Sequence, residues 1–349
     1  MLKYYKAKNF NIKSSLSLKT MVTQLFDPFE NFNFGNRTCF LTGQALVSAD
    51  EKIQVFPSWM MNRYNLTDQP FKLLDESIST YKDLKLPCAT AVFDQYIEPL
   101  EKEIETAFTG GYNAVKLLDE FQLFRWAGKI LYGIIFNEIQ VAIRQQHANG
   151  EEFNISQSIV HKFRHLHMML QSLNKPIEFE AFKPFSLFLF PVNNAENHFT
   201  YRDEINTMTF SLRLENFGLI LCLQDNGANR LYHRDLLQKI GLNTLHPIQF
   251  EEFCGKVFYS AYLFNRLPEY EVMVVEDKIF LEAMPLRGMS SKPLFDAWNG
   301  KTYGQVLENF WKKWGFLLLE IIKNPDHPMS FLLDEDENFK DAATIDLAI

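Results

Sequence analysis

Cysteine is scarce in this chain: Cys39, Cys88, Cys222 and Cys254 are the four present in 349 residues. They are too few for a disulfide scaffold, and their sparseness fits reduced thiols in a cytoplasmic setting. An excess of positive charge is also lacking. Lys and Arg number 35 against 43 Asp and Glu, a formal net charge of -8. A protein that coats phosphate backbone usually has the opposite sign. No apolar run reaches the roughly 20 residues of a membrane span. There is no Gly-x-Gly-x-x-Gly fingerprint, no phosphate-cradling Gly-Lys-Ser/Thr loop and no Gly-x-Ser-x-Gly elbow. Repeats and low-complexity tracts are missing too. What is there is 47% hydrophobic and 22% charged, ordinary for a globular protein and too apolar for a disordered one. At about 150 residues per domain, the length suggests two domains.

Residues 1–27 read as a flexible N-terminal extension. Lys3, Lys6, Lys8, Lys13 and Lys19 precede Met21 with no acid among them, and Met21 is a second possible start. Residues 28–75 look irregular, with a short strand at Val55-Phe56 stopped by Pro57. From Tyr96 the period turns helical, with Leu100, Ile104 and Phe108 at spacing four, until Gly110-Gly111. A long helix is expected from about Asn113 to His147, where Leu117, Phe121, Phe124, Leu131, Ile134 and Ile135 form one stripe. Ala148-Asn149-Gly150 would end it. Ser156 to Leu173 reads as another helix, and Asn174-Lys175-Pro176 as a boundary between domains 28–175 and 176–333.

Beyond Pro176 the period shifts toward two. Thr207 to Leu214 and Leu219 to Leu223 read as a hairpin about Glu215-Asn216, and Glu271 to Val275 and Lys278 to Ala283 as another about Glu276-Asp277. Helices are expected over 247–264 and 303–322. Residues 334–349, opening with Asp334-Glu335-Asp336-Glu337, read as a solvated acidic tail. The fold class is therefore α+β, a helix-rich N-terminal domain followed by an antiparallel sheet packed by helices.

Three pieces of the N-terminal half occur in a telling order: Cys39-Phe40-Leu41-Thr42-Gly43, Ile53-Gln54-Val55-Phe56-Pro57-Ser58-Trp59, and Leu86-Pro87-Cys88-Ala89-Thr90-Ala91-Val92 ahead of Leu100-Glu101. Over about residues 37–108 the chain resembles a zinc-stabilised HNH-endonuclease-like domain. That family's pattern runs Cys-x-x-Cys-Gly, Glu-His-Ile-Phe-Pro-x-Trp-Leu, then Pro-x-Cys-x-x-Cys-Asn before a helix. The resemblance implies a ββα unit and a bacterial chain. It also shows what has changed. The four zinc-site positions fall on Cys39, Thr42, Cys88 and Ala91, and two thiolates do not make the tetrahedral set of a structural zinc. The family's Glu-His falls on Ile53-Gln54, and an amide cannot take a proton from water at neutral pH. Its Asn falls on Val92. No catalytic residue, metal ligand set or cofactor is therefore expected; skeletal residues (Gly43, Val55-Phe56-Pro57, Trp59, Pro87) remain.

Other candidates have plainer readings. His161, His165 and His167 share a helix, the first two on one face, and read as partly exposed histidines rather than ligands. Glu98, Glu101, Glu103 and Glu105, with Asp94 before them, crowd a helix start where the dipole favours acids. Arg125, Trp126 and Lys129 could stack on bases, but a Trp on a long amphipathic helix is usually core, and Trp298, Trp311 and Trp314 read alike. Cys222 reads as a buried strand residue, and Cys254 with His246 lacks any oxyanion element. The function this supports is a non-catalytic binding or scaffold protein on an eroded HNH-like core. Its partner is expected to be a protein. The alternatives are a nucleic-acid reader that keeps the surface, or an enzyme with an unrecognised site in the C-terminal domain.

Overall fold

The computed structural model describes residues 24–30, 36–150, 155–193, 199–288 and 290–347. The chain is α+β. Its N-terminal part holds β1 (Lys52–Gln54), α1 (Ser58–Arg63), β2 (Pro70–Lys72), β3 (Ile78–Thr80), β4 (Lys85–Pro87) and α2 (Glu98–Thr109). The short α3 (Tyr112–Val115), the 29-residue α4 (Glu120–Ala148) and α5 (Gln157–Leu170) follow. The later part holds β5 (Ile177–Phe179), β6 (Ser186–Pro191), β7 (Phe199–Glu204), β8 (Thr209–Leu214) and β9 (Phe217–Cys222). Then come α6 (Ala228–Tyr232), α7 (Arg234–Ile240), α8 (Pro247–Leu263), β10 (Tyr270–Val275), β11 (Lys278–Ala283), α9 (Gly300–Phe310) and α10 (Leu318–Ile321).

The four-stranded sheet β6-β9-β8-β7 is antiparallel throughout and occupies the middle of the molecule. Helices cover both faces, so β8 and β9 are buried at every position. The period of two survives as a choice between two cores rather than between core and water. Leu219 and Leu221 join one core with Phe124, Trp126 and Ile130 of α4 and Leu166 and Leu170 of α5. Ile220 and Cys222 join the other with Phe250, Phe253 and Val257 of α8 and Leu307 of α9. The first core is continuous across Asn174-Lys175-Pro176, taking Leu166 and Leu170 from one side and Ile177, Phe185 and Leu187 from the other. A smaller sheet, β10-β11-β5, pairs β11 with β5 in parallel, so the later part is not wholly antiparallel.

Several expected elements take a different form. The long helix begins at Glu120, not Asn113, because Asp119 caps it: its carboxylate accepts from the Phe121 N–H (3.0 Å) and Gln122 reaches back to the Asp119 N–H (3.0 Å). The helix expected from Tyr96 begins earlier, at Thr90, and passes through a π turn over Phe93–Ile97 before α2. The segment 303–322 is broken between α9 and α10, with Gly315 left-handed at φ 78°. The strand expected at Val55-Phe56 lies one step earlier, at β1. The acidic tail is folded as far as Leu347. The Asp334 carboxylate accepts from the N–H groups of Asp336 (3.0 Å) and Asn338 (2.8 Å), which turns the chain back. Phe339, Ile345 and Leu347 then pack on the second core. Of the expected N-terminal extension, residues 1–23 lie outside the described residues, whereas Phe26 is anchored by paired hydrogen bonds to Gln171 (2.8 Å each).

Candidate functional site

The segment Arg37–Leu46 folds back on itself. Thr38 bridges Ala45, the Cys39 N–H donates to Gln44 O (2.9 Å), and the Gly43 N–H donates to Cys39 O (3.0 Å). Gly43 has φ 73°, and a Cβ there would sit 2.4 Å from the Phe26 ring. Conformation and space both call for glycine. The turn is stitched to β4 by the Phe40 N–H donating to Pro87 O (2.8 Å). β4 pairs antiparallel with β1, Ile53 opposite Leu86, and the Cys88 N–H donates to Glu51 O (3.0 Å). The chain then enters the helix that starts at Thr90. Residues 52–109 thus present the β1–β4 pair with a helix leaving β4, and α1 and the β2–β3 pair lie between the two strands in sequence.

This path brings Cys39, Thr42 and Cys88 together. Both thiols are buried and reduced. The Cys88 thiol is the largest influence on Cys39 and lowers it to about 5 against burial, helped by Thr42. The same contact, with burial, drives Cys88 up. The pair therefore holds one proton more loosely than the other. Ala91 lies exposed in the first turn after Cys88, and Val92 is buried in the core. Among the described residues, no group of three or more His, Cys, Asp or Glu is placed to hold a metal ion.

A cleft of about 600 Å³ opens beside this pair, lined by Asp50, Glu51, Lys52, Ile53, Gln54, Ser58, Cys88, Thr90, Asp94 and Glu101 among others. It has four carboxylates and one lysine on its wall. Glu51 accepts from the Val47 N–H (2.8 Å) and the Thr90 hydroxyl (3.2 Å), and the Val47 bond is the main reason its carboxyl is held low. The Gln54 amide, oriented to suit its surroundings, donates to Lys82 O (3.2 Å) and Leu84 O (3.3 Å). Its role is to tie the loop before β4. Behind the wall, Lys129 of α4 donates to Glu101 Oε1 (2.6 Å) and to Gln54 O (3.4 Å). Lys129 is 2% exposed and Glu101 14%. The close approach of α4 to β1 and β4 requires Gly133, where a Cβ would come within 2.6 Å of Val55.

The remaining candidates scatter. His167 is fully buried, not partly exposed: its Nε2–H donates to Phe40 O (2.6 Å), fixing the Cys39 turn to α5. Burial lowers it to about 4. His161 and His165 do face each other, ring centroids 4.2 Å apart, and His161 bonds Pro268 O (3.2 Å). Trp126 and Trp311 are core, whereas Trp298 lies at the surface, a third exposed, against Tyr259 and Tyr303. Cys222 and Cys254 are buried, and His246 caps α8 through the Ile248 N–H (3.3 Å).

Sequence reasoning missed two buried networks. Lys129 reads in sequence as a cation able to stack on bases; it lies on the helix side away from the apolar stripe, and the signal of its burial is that its neighbours there, Trp126, Ile130 and Gly133, are apolar too. In the later part, Ser260 Oγ lies 2.8 Å from His233 Nε2 and donates to Asn229 Oδ1 (2.6 Å), while Asp225 accepts from Ser186 Oγ (2.6 Å). Nothing in the spacing of these residues marks them. Ser260 is wholly buried, and the pair lines neither of the larger C-terminal clefts, which are bounded by Asn193, Asn243 and Asp341 and by Tyr259, Tyr262 and Phe310. Comparison with protein-family models, curated proteins and solved structures finds no match to this chain. Among the described residues no helix is long and apolar enough to cross a membrane.

Proposed function

We propose that this chain is a non-catalytic binding or scaffold protein built on an eroded HNH-like nuclease core. The observation that carries the reading is the meeting of Cys39 and Cys88. Residues far apart in sequence arrive in contact, with Thr42 beside them, and such close approach of two sulfurs is what a vacated zinc site would leave. The β1–β4 pair and the helix that follows support a ββα unit, with α1 and the β2–β3 pair inserted between its strands. At the position this reading gives the base, Gln54 is spent on backbone carbonyls, and Glu101 on the wall is held from behind by Lys129. The acid-lined cleft favours a protein partner over nucleic acid, since phosphate contacts rely on Lys and Arg. Burial of Ser260 supports placing function outside a C-terminal hydrolytic site.

The test combines metal analysis of the purified protein, a plasmid-cutting assay with added divalent cations, and native co-purification from the host. The expected result is substoichiometric zinc, intact plasmid and a protein partner with little nucleic acid. One zinc per chain with metal-dependent cutting would overturn the reading, and nucleic acid released by salt would replace it with the reader alternative.

A further inference from the structure

Among the described residues, strand β10 forms a free edge of its sheet. Its register with β11 runs unbroken from Tyr270↔Ala283 to Val275↔Lys278. No Pro, Lys or bulge guards it, the devices that usually protect an edge. The Met284 N–H donates to Glu269 O (2.9 Å). Alternation along an antiparallel ladder then turns the N–H and C=O of Val272 and Val274 outward, away from β11.

The two faces of this edge differ. On one, the rows Phe179–Leu281–Val272 and Ile177–Ile279–Val274 run across the sheet. Ile279 and Leu281 are wholly buried, yet Val272 and Val274 are 44% and 53% exposed. The apolar face therefore runs out from under its cover at the edge. The other face is mixed: Glu271 stands directly opposite Glu282, both exposed, a like-charge pair that costs stability, and the exposed Met273 and Val275 follow it along the strand. The turn beyond adds Glu276 and Asp277. Lys278 is already paired with Glu178 (2.5 Å).

We infer that β10 receives an extended segment of a partner protein as a fourth strand, one that alternates apolar residues with Lys or Arg. Backbone pairing supplies the affinity and the two faces supply the selection. Apolar side chains would continue the Val272–Val274 row, and basic ones would lie against Glu271 and Glu282. A second copy of this chain fits less well, because β10 against β10 gathers the acids of both hairpins at one seam. The inference rests on the binding-protein reading but not on the ancestry of residues 37–108.

The test selects a displayed library of random peptides, each about ten residues long, on the full chain. Enriched peptides are expected to alternate apolar and basic residues. A synthesised winner should bind V274P and E271K at least about tenfold more weakly. V274P removes an outward N–H and no ladder bond, so both variants should melt close to the parent. Winners that lack alternation, carry net negative charge, or bind both variants undiminished would overturn the inference. So would a concentration-dependent dimer abolished by V274P, which would put a second copy at this edge. A co-purifying partner retained by V274P would leave the binding-protein reading standing and remove this edge as its site.

Discussion

Behind the cleft wall the Lys129–Glu101 pair offers a test of how this region is held together. Removing one member of a buried ion pair strands the other at about 3–5 kcal/mol, whereas replacing both with apolar groups of similar volume is often close to neutral. The two ends are not equivalent here. With Lys129 2% exposed and Glu101 14%, Glu101→Leu leaves an ammonium whose remaining hydrogen-bond acceptor among the described residues is the Gln54 carbonyl, 3.4 Å away. The expected loss is the full 3–5 kcal/mol or so. Lys129→Met leaves a carboxylate that the cleft's water can reach, and the loss should be about 1–3 kcal/mol. The double variant should lose about 1 kcal/mol, so the singles should overshoot it by well over 2 kcal/mol or so. Equilibrium urea unfolding, followed by tryptophan fluorescence, measures all four proteins. Trp126 lies one turn before Lys129 on α4 and reports locally. Additive losses, or Glu101→Leu costing no more than Lys129→Met, would refute the picture of a desolvated ammonium held by one carboxylate.

Three further perturbations probe the fold and the site. Gly218→Ala places a Cβ 2.2 Å from the Phe250 ring where α8 crosses β9; it should cost about 1–3 kcal/mol by overpacking, and an unchanged thermal melt would contradict that contact. His167, lowered to about 4 by burial, has an unfolded value near 6.5. Between those pH values the unfolded chain binds a proton that the native state refuses, so its contribution is complete above about pH 6.5 and is lost as pH falls toward 4. Relative to wild type, His167→Gln should flatten the pH dependence of stability there by up to about 1.4 kcal/mol per pH unit, and parallel curves would rule this out. If the HNH-like reading holds, installing cysteines at the two positions it assigns to the knuckle, Thr42→Cys with Ala91→Cys, should let the folded chain take up about one zinc or cobalt with a tetrahedral thiolate spectrum. A folded variant that stays metal-free would count against the HNH-like reading.

The parts of the fold legible in the sequence are those where one periodicity ran without interruption. The α4 stripe, the α8 helix and the two hairpins about Glu215-Asn216 and Glu276-Asp277 stand where patterning puts them. Misreadings occur where a local hydrogen bond outranks the pattern. Leu117 and Leu118 extend the apolar period upstream of α4, but the Asp119–Gln122 capping box sets the start. Asp334 looks like the opening of a solvated charge run, yet its carboxylate closes a turn that returns Phe339 to the core. The sheet's second buried face was legible only in hindsight, because a strand buried on both faces shows apolar residues at every position. At the site, sequence order brought Cys39 and Cys88 to notice. It could not reveal Lys129 behind the cleft or His167 beneath the turn, since those depend on helices that reach the site from outside the motif.

That dependence bears on how the Cys39–Gln44 turn persists. In a metal knuckle four ligands hold such a turn, and the metal's binding energy is folding energy. Here the same span is held by contacts from three separate elements. Pro87 O takes the Phe40 N–H, His167 takes the Phe40 carbonyl, and Phe26 fills the space over Gly43. Each is a small contribution of the order of 1 kcal/mol, but all converge on one short turn and none needs a ligand. The two thiols then sit against each other without constraint from a metal. A turn secured in this way can stay rigid while its cleft-facing residues, Ile53 and Gln54 among them, are free to change. On the HNH-like reading proposed above, the base position carries the Gln54 amide and its neighbour the sec-butyl side chain of Ile53, neither of which takes a proton from water, and that reading would suit the cleft to holding a surface in place.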